Sequence, residues 1–402
     1  MQGVSWRENA TNAALCATFV LFPSLGIIQK YFRTRGALVY LAIALLLFVA
    51  AVRPNAGLHS RIEALDRRRA WRLAGALFVI LVLAFAVLYP LSNSGERSWI
   101  ATSGIAGGGS DRDESLNLGV TELLHGRYPY YAETQLGNPV SQMPGSLVLA
   151  VPFVLLGNAA LQNLAWCALY FFISVRMIGD VRQALALVVL LLAAGPVVFQ
   201  DLVTGGDLIA NSVMVLGAMM LVLNHEGGSW TTGQSLFASG VLGLALSSRL
   251  SFLLLVPLLA ERLVRRVGVR QAAGSLLVAG LVFVGITLPF YLYDPAGFAP
   301  LSIQNKFAQF GDYVPERVVL LPALCLVISV AVALWPGARD ATDWLVRAGL
   351  VLLMPAVLLV VLVSVRSGGL LLRYSAYGIP AALFGALGTA ASCSKHGDCP
   401  QP

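Results

Sequence analysis

Residues 107–131 read GGGSDRDESLNLGVTELLHGRYPYY, the longest polar interval in the chain. The interval combines carboxylates, a histidine, arginines and tyrosines: Asp111, Asp113, Glu114, Glu122, His125, Arg112, Arg127, Tyr128, Tyr130 and Tyr131. Apolar segments flank it at 73–91 and 146–156. A polar stretch between apolar segments of this kind is typical of a loop that joins membrane-spanning helices.

The composition points to the same class of protein. The chain has 402 residues, of which 57% are hydrophobic and only 12% are charged. Soluble domains carry about 25% charged residues, so most of this surface has to face lipid rather than water. Because the lipid core satisfies no backbone polar groups, we expect an all-α, polytopic integral membrane protein in a single domain, 1–402.

Apolar runs separated by short linkers predict about twelve crossings. The predicted crossings are 12–29, 36–52, 73–91, 159–175, 183–199, 207–223, 235–246, 250–260, 272–290, 318–335, 348–365 and 374–391. The short apolar run 146–156 breaks the alternation of sides, so we expect a half-membrane or kinked helix there. Such a segment needs protein or a water-filled cavity around it, which predicts a cavity beside the 107–131 interval.

The arginine distribution fixes the orientation. The linkers 53–72 and 262–270 are dense in arginine, which places both on the cytoplasmic side. The run 73–91 then leads outward, so we expect 92–143 to be a first large outer loop and 291–317 a second. Both termini are then cytoplasmic.

The net charge of +7 does not indicate a nucleic-acid partner, because the cations cluster at the ends of apolar runs. Membrane lipids are the expected surroundings. Only three of the 27 basic residues are lysine, which suggests a GC-rich genome. We expect a bacterial plasma membrane.

From Glu114 onward, apolar residues at 116, 118, 120, 123 and 124 predict a short amphipathic helix that ends at Gly126. Asp113 lies at the start of this helix, where the helix dipole favours an anion. Asp113 is thus either an N-terminal capping residue or a reactive carboxylate.

Several segments resemble the GT-C superfamily of membrane glycosyltransferases. They are DESLNLGVTELLHGRYPYY (113–131), NPVSQMPGSLVLAVPFVLLG (138–157), VTGGDLIANSVMVLGAMML (203–221), SGVLGLALSSRLSFLLLVPLL (239–259) and LLRYSAYGIPAAL (371–383). The pattern is most similar to polyprenyl-phosphate-mannose-dependent mannosyltransferases, and the Asp-Glu pair also resembles aminoarabinose and protein O-mannosyl transferases. Asn117 stands where those mannosyltransferases often have tyrosine, and three apolar segments precede the loop where one is typical.

The resemblance implies an inverting transfer of a hexose, such as mannose, from a polyprenyl-phosphate donor to an envelope glycan or lipid on the outer face. Asp113 is the implied general base, with Glu114 beside it. Cations are needed to stabilise the departing phosphate. The predicted phosphate-binding residues are Arg373, Arg249 and Arg127, and the predicted substrate-binding residues are Asp207, Tyr374, Tyr130 and His125.

Four of these residues also have a structural interpretation. Arg373 is equally explained as an interfacial anchor that reaches lipid headgroups, and Asp207 as a helix cap. His125 is explained as a helix-end residue, and Tyr130 as part of an interfacial aromatic belt. Arg249 lies between two apolar runs, where a charge is costly without a function.

Two other classes of function are left open. A secondary transporter or lipid flippase would use charges within the membrane, although the sequence has few carboxylates in the middle of its crossings. A non-catalytic scaffold leaves the charges of 111–133 unexplained. We predict no metal site, although Cys393 and Cys399 with His396 between them could form one in the C-terminal tail.

Overall fold

The computed structural model describes residues 2–52, 65–93, 111–134, 137–224, 232–301, 320–336 and 341–396. These residues form α-helices joined by turns and short 3₁₀ segments, and apart from an isolated bridge between Glu133 and Pro139 they contain no strand. The predicted all-α class is confirmed. The helices are α1 Gln2–Leu21, α2 Leu25–Val52, α3 Arg67–Asn93, α4 Arg112–Leu124, α5 Pro144–Leu155, α6 Gln162–Ile178, α7 Val181–Ala193, α8 Pro196–Val203, α9 Leu208–Asn224, α10 Thr232–Leu246, α11 Val256–Val267, α12 Val269–Tyr293, α13 Leu320–Leu334, α14 Ala341–Ser367 and α15 Ile379–His396.

Six helical segments in the described part are long and apolar enough to cross a membrane, or seven if α7 and α8 form one span. They are Thr11–Leu46, Arg67–Leu91, Ala159–Ile178, Val269–Tyr293, Ala341–Ser367 and Arg373–Cys393. A helix of 25 residues such as α12 is about 37 Å long, which exceeds a hydrocarbon core of ~30 Å. These helices are typical of an integral membrane protein. The count of about twelve crossings stays a prediction.

Helix α2 changes direction at Arg33. The backbone of Arg33 has φ of 59° and ψ of −175°, which lies outside the helical region. Non-glycine residues rarely adopt such a positive φ. The break falls in the gap that the sequence predicted between 12–29 and 36–52. On the amino-terminal side of the break, Gln29 binds the 370–372 loop, because its side chain donates to Leu370 O at 2.7 Å and accepts from Leu372 N at 2.7 Å.

The predicted continuous crossing 183–199 is instead a bent pair of helices. Helix α7 ends at Ala193, α8 begins at Pro196, and the two axes differ by 84°. Proline lacks the N–H that would continue the helical hydrogen bonds and disfavours helical geometry in the residue before it. The Gly195-Pro196 pair therefore ends α7.

The described chain comprises two compact units. One unit contains 1–107, 167–203 and 335–402, and the other contains 108–166 and 204–334. In the first unit α14 packs against α15, where a Cβ on Gly349 would lie 2.6 Å from Gly385 Cα. The side chain of Phe19 from α1 covers this contact, since a Cβ on Gly385 would come within 2.5 Å of its ring. Glycine is therefore needed at both positions.

The second unit holds the predicted outer-loop helix. Helix α4 matches the predicted amphipathic helix, and its buried Leu116 and Val120 join a core with Leu147 of α5. A Cβ on Gly119 would lie 2.9 Å from both Leu147 and Val140, so α4 and the start of α5 are in close contact. The middle of α4 thereby packs against α5 and against the segment that leads into it.

Helix α5 has 12 residues and is about 18 Å long, too short to cross the hydrocarbon core. The short helix predicted at 146–156 is therefore present, as Pro144–Leu155. The predicted break at 247–249 is confirmed as well, because α10 ends at Leu246 and a 3₁₀ segment begins at Leu250. Residues 94–110 and 302–319, which include much of the two predicted outer loops, lie outside the described residues. The C-terminal residues 397–402 lie outside them as well.

Candidate functional site

Asp113 lies in the first turn of α4 and is 5% exposed. The N-cap position belongs to Asp111, whose side chain makes no capping hydrogen bond. Its Oδ2 instead accepts hydrogen bonds from Thr134 Oγ1 at 3.0 Å and from Asn138 Nδ2 at 2.7 Å. Asp113 is thus a buried carboxylate where the helix dipole stabilises negative charge, and it is not the capping residue.

Gln142 makes two hydrogen bonds to this first turn. Its Nε2 donates to Arg112 O at 3.2 Å, and its Oε1 accepts from Ser115 Oγ at 2.7 Å. The hydroxyl of Tyr130 donates to Gln142 O at 3.1 Å. Sequence reasoning missed Gln142, although a glutamine just before an apolar helix is a signal that could have drawn attention to it.

The second element of the site is a buried ion pair between Asp207 and Arg249. Arg249 Nη2 lies 2.6 Å from Asp207 Oδ1 and 2.7 Å from Oδ2, and the Asp207 side chain is fully buried. Arg112 Nε lies 3.9 Å from Asp207 Oδ1. Two guanidinium groups therefore offset the cost of burying this carboxylate. Since Arg112 precedes Asp113, the pair lies beside the first turn of α4.

A chain of polar contacts holds Asp207 in place. Asn211 Nδ2, one helical turn further along, donates to Asp207 Oδ2 at 3.0 Å. The hydroxyl of Ser146 donates to Asn211 Oδ1 at 3.1 Å, and the neighbouring Gly145 N–H donates to Ser247 O at 3.1 Å. The start of α5, the start of α9 and the 247–249 turn thus meet around Asp207. Ser146 and Asn211 were not among the predicted site residues.

Arg127 and His125 lie at the other end of α4, about 18 Å along its axis from the first turn. Arg127 is exposed and pairs through both Nε and Nη2 with Glu122. That hydrogen bond holds the pKa of the Glu122 carboxyl below its usual value. His125 is also exposed, and its Nδ1 lies 2.7 Å from Thr121 O. The structure does not bring these two predicted residues to Asp207.

Tyr130 is 3% exposed and packs edge-to-face against Phe298 at 4.9 Å. The nearby Tyr128 contacts the carboxyl end of α12. Its hydroxyl donates to Phe290 O at 2.9 Å, and its ring stacks on the ring of Tyr293 with 4.8 Å between the centroids. Burial raises the pKa of Tyr128 to about 12, with Asp294 adding to the shift. Tyr130 is therefore part of the packing that joins α4 to α12.

Arg373 and Tyr374 belong to the other compact unit. The Arg373 guanidinium lies over the Tyr374 ring at 4.9 Å from its centroid, and Tyr374 is 4% exposed. Ser375 next to them accepts from Gly26 N at 2.8 Å and donates to Pro23 O at 3.0 Å. The predicted phosphate-binding role of Arg373 stays a prediction.

Among the described residues, no group of three or more histidine, cysteine, aspartate or glutamate side chains could hold a metal ion. The candidate metal cluster in the C-terminal tail lies outside these residues, since it depends on Cys399. The chemistry that the described site offers comes from carboxylates, guanidinium groups, amides and hydroxyls.

The fold and the site together are typical of an α-helical membrane protein that carries a buried cluster of charged side chains. Comparison of the chain with protein-family models, with curated proteins and with solved structures found no match.

Proposed function

We propose that this protein is a membrane glycosyltransferase of the GT-C type. It transfers a hexose, in the first instance mannose, from a polyprenyl-phosphate donor to an envelope glycan or lipid acceptor. The observation that supports the proposal most is the buried Asp113 carboxylate in the first turn of α4, next to the cluster of Arg112, Asp207 and Arg249.

In the proposed reaction Asp113 accepts the proton of the acceptor hydroxyl as that oxygen attacks the anomeric carbon. The new C–O bond forms on the face opposite the phosphate while the bond to the phosphate oxygen breaks, so the anomeric centre inverts. A general base of this kind has to lie within about 3 Å of the hydroxyl. Polyprenyl phosphate leaves with the bonding electrons, and the nearby arginines stabilise its charge.

Contacts between the loop after α4 and the end of α12 support an outward-facing site. Helix α12 follows α11, whose last turn is basic, and it begins next to Arg270, so the positive-inside rule puts its start in the cytoplasm. Its carboxyl end, at Phe290 to Asp294, is then on the outer side. Tyr128 binds Phe290 O, and Tyr131 donates to Asp294 Oδ2 at 3.0 Å. These bonds connect the loop after α4 to that outer end.

The complete proposal has about twelve crossings with both termini in the cytoplasm of a bacterial cell. In it, 92–143 carries the catalytic residues and 291–317 is a second outer loop. The short helix α5 enters the membrane only partway, beside the site. Six membrane-length segments support the membrane class, and the 12-residue α5 supports the partial entry; the count of crossings rests on the apolar runs of the sequence.

A transporter or lipid flippase is the second candidate, and Asp207 favours it. A fully buried carboxylate that is paired with Arg249 is the kind of group that marks an ion path in membrane proteins. Protonation of Asp207 would release Arg249, which would change the charge of the cluster by one unit.

One reconstitution experiment separates the two candidates. Purified full-length protein in vesicles receives labelled polyprenyl-phosphate-mannose on one side, with and without an acceptor extract, and both product and lipid movement are followed. Acceptor-dependent mannose transfer supports the transferase. Protein-dependent movement of the intact donor across the bilayer without transfer, compared with protein-free vesicles, refutes it and supports the flippase.

A further inference from the structure

A group of exposed arginines lies where the start of α3 meets the end of α6, within the first compact unit. An aromatic contact joins the two helices there. The ring of Trp71 in α3 lies 5.6 Å from the ring of Phe171 and 6.1 Å from that of Phe172 in α6, measured between centroids. Trp71 is 38% exposed and Phe172 is 55% exposed, so one side of this contact faces the surroundings of the protein.

The two helices run antiparallel at this contact. Arg67 stands four residues before Trp71, and its charge adds to the hydrogen bond from Arg182 in lowering the pKa of the Asp180 carboxyl. Asp180 follows α6, so lower residue numbers in α3 face higher numbers in α6. The start of α3 and the end of α6 therefore lie on the same side of the membrane. The positive-inside rule identifies that side as the cytoplasmic one.

Helical spacing puts three guanidinium groups next to the aromatic contact. Residues three or four apart are neighbours on a helix surface, whereas residues two apart do not face each other. Arg67 and Arg68 are thus one turn from Trp71 in α3, and Arg176 is one turn from Phe172 in α6. All three arginines are exposed, and they lie beyond the rings toward the same end of the two helices.

The positive charge of this group is not balanced by nearby carboxylates. Asp180 is already engaged, since Arg182 Nη2 lies 2.7 Å from its Oδ2 and Arg182 N donates to its Oδ1 at 2.9 Å. Within the part of the chain that the structure describes, Arg68 and Arg176 form no ion pair. A ligand with two negative charges and an apolar part therefore matches both the arginines and the rings beside them.

We propose that Arg67, Arg68 and Arg176 bind the phosphate groups of an anionic phospholipid in the cytoplasmic leaflet, and that cardiolipin, which has two phosphates, fits best. Guanidinium groups bind phosphate oxygens through two N–H donors at once, and basic sites between membrane helices on the cytoplasmic side suit such headgroups. Trp71 then lies at the boundary between headgroup and acyl chains, where indole rings are favoured. The exposed side of Phe172 contacts an acyl chain. The site does not depend on the proposed sugar transfer.

The test measures lipid binding to the full-length protein. Purified protein in detergent micelles is titrated with cardiolipin, phosphatidylglycerol or phosphatidylcholine, and native mass spectrometry counts the bound lipid. An arginine near an anionic headgroup contributes about fivefold in affinity, so cardiolipin is expected to bind at least about tenfold more tightly than phosphatidylcholine. Phosphatidylglycerol, with one phosphate, is expected to fall between them. Added salt should weaken cardiolipin binding, because exposed charges are screened.

The variants are Arg68→Gln, Arg176→Gln and the double variant, with Arg69→Gln and Arg270→Gln as controls that remove the same charge. Arg69 is exposed but stands two residues before Trp71, so it does not face the rings, and Arg270 is exposed at the start of α12. Each site variant is expected to lower cardiolipin affinity about fivefold, and the double variant more than either. Both controls should stay within about twofold of wild type.

The comparison uses lipid-free variants that unfold at the wild-type temperature, which is expected of substitutions at exposed arginines. Equal affinity of wild type for cardiolipin and phosphatidylcholine overturns the inference. An equal loss in the site variants and the controls overturns it too, because that result indicates attraction by net charge without a defined site. If phosphatidylglycerol binds as tightly as cardiolipin, the assignment of two phosphates is wrong.

Discussion

The substitution Gly145→Ala adds one methyl group and tests how closely the site is packed. Gly145 is the second residue of α5, and its N–H donates to Ser247 O at 3.1 Å. A Cβ built on Gly145 would lie 1.9 Å from Ser247 Oγ, 2.5 Å from Leu244 O and 2.7 Å from Ser247 C. Rotation of the serine relieves the first contact, but the other two involve backbone atoms.

The size of the effect follows from these distances. Real Cβ atoms essentially never come closer than 3.0 Å to such neighbours, so the Leu244 carbonyl has to move by about half an ångström. Overpacking of this kind costs ~1–3 kcal/mol. Arg249 lies two residues beyond Ser247, so the shift reaches its contact with Asp207. Because a misplacement of ~1 Å can lower a reaction rate 10²-fold, we expect about a tenfold loss of the mannose-transfer rate in Gly145→Ala.

The assay measures thermal unfolding and the initial rate of mannose transfer of Gly145→Ala in the same vesicle preparation. The control is Gly274→Ala in α12, where a Cβ meets nothing within 4 Å. Helical glycine to alanine is favourable by ~0.5–1 kcal/mol, so the control is expected to be at least as stable as wild type. Wild-type stability and transfer rate in Gly145→Ala would refute the close contact between α5 and the 247–249 turn.

Three further predictions concern packing and pH. Gly243→Ala is expected to lower stability by ~1–3 kcal/mol, because its Cβ would lie 2.3 Å from Ala279 O. Gly240→Ala on the same helix is the control, since its Cβ meets nothing within 4 Å, and it is expected to keep the wild-type stability. Thermal unfolding measures both variants. Leu147→Ala empties a fully buried position and costs ~2–5 kcal/mol by the same measurement, so a loss below ~1 kcal/mol contradicts the described core. The hydrogen bond from Arg182 lowers the pKa of Asp180 below 3.8, so the stability that Asp180 contributes is complete above that value and is lost as pH falls through the folded pKa. The unfolding free energy of wild type should therefore exceed that of Asp180→Ala at neutral pH and converge with it in acid, and a constant difference contradicts the ion pair.

The local features of the fold could be predicted because local residues determine them. The short helix at 146–156 and the break at 247–249 follow from the lengths of apolar runs and the polar residues between them. The break between α7 and α8 was not predicted, because the apolar run 183–199 is continuous. The Gly195-Pro196 pair was a local signal for it. Periodicity predicted α4, because Leu116 and Val120 share its buried face.

The candidate site could be predicted only in part. Asp113 was identified from the resemblance of its loop, and Asp207 and Arg249 were each singled out. Their pairing was not predicted, because 42 residues separate them and their contact depends on how α9 and α10 pack. The supporting amide of Gln142 was missed for the same reason, since Ser115 lies 27 residues away from it in the chain. Asn211 is only one helical turn from Asp207, but it lies within an apolar run. Side chains that act by satisfying another polar group carry no motif of their own.

The most direct test of the central claim is the initial rate of mannose transfer by Asp113→Asn in reconstituted vesicles. The rate is compared with those of wild type, of Glu114→Gln and of Glu122→Gln at equal amounts of folded protein. Glu122 is a partly exposed carboxylate at the far end of α4, paired with Arg127. A positioned general base contributes ~10²–10⁴-fold, so Asp113→Asn should lose at least about a hundredfold while Glu122→Gln keeps the wild-type rate. A rate for Asp113→Asn within about twofold of an active wild type would contradict the assignment of Asp113 as the base.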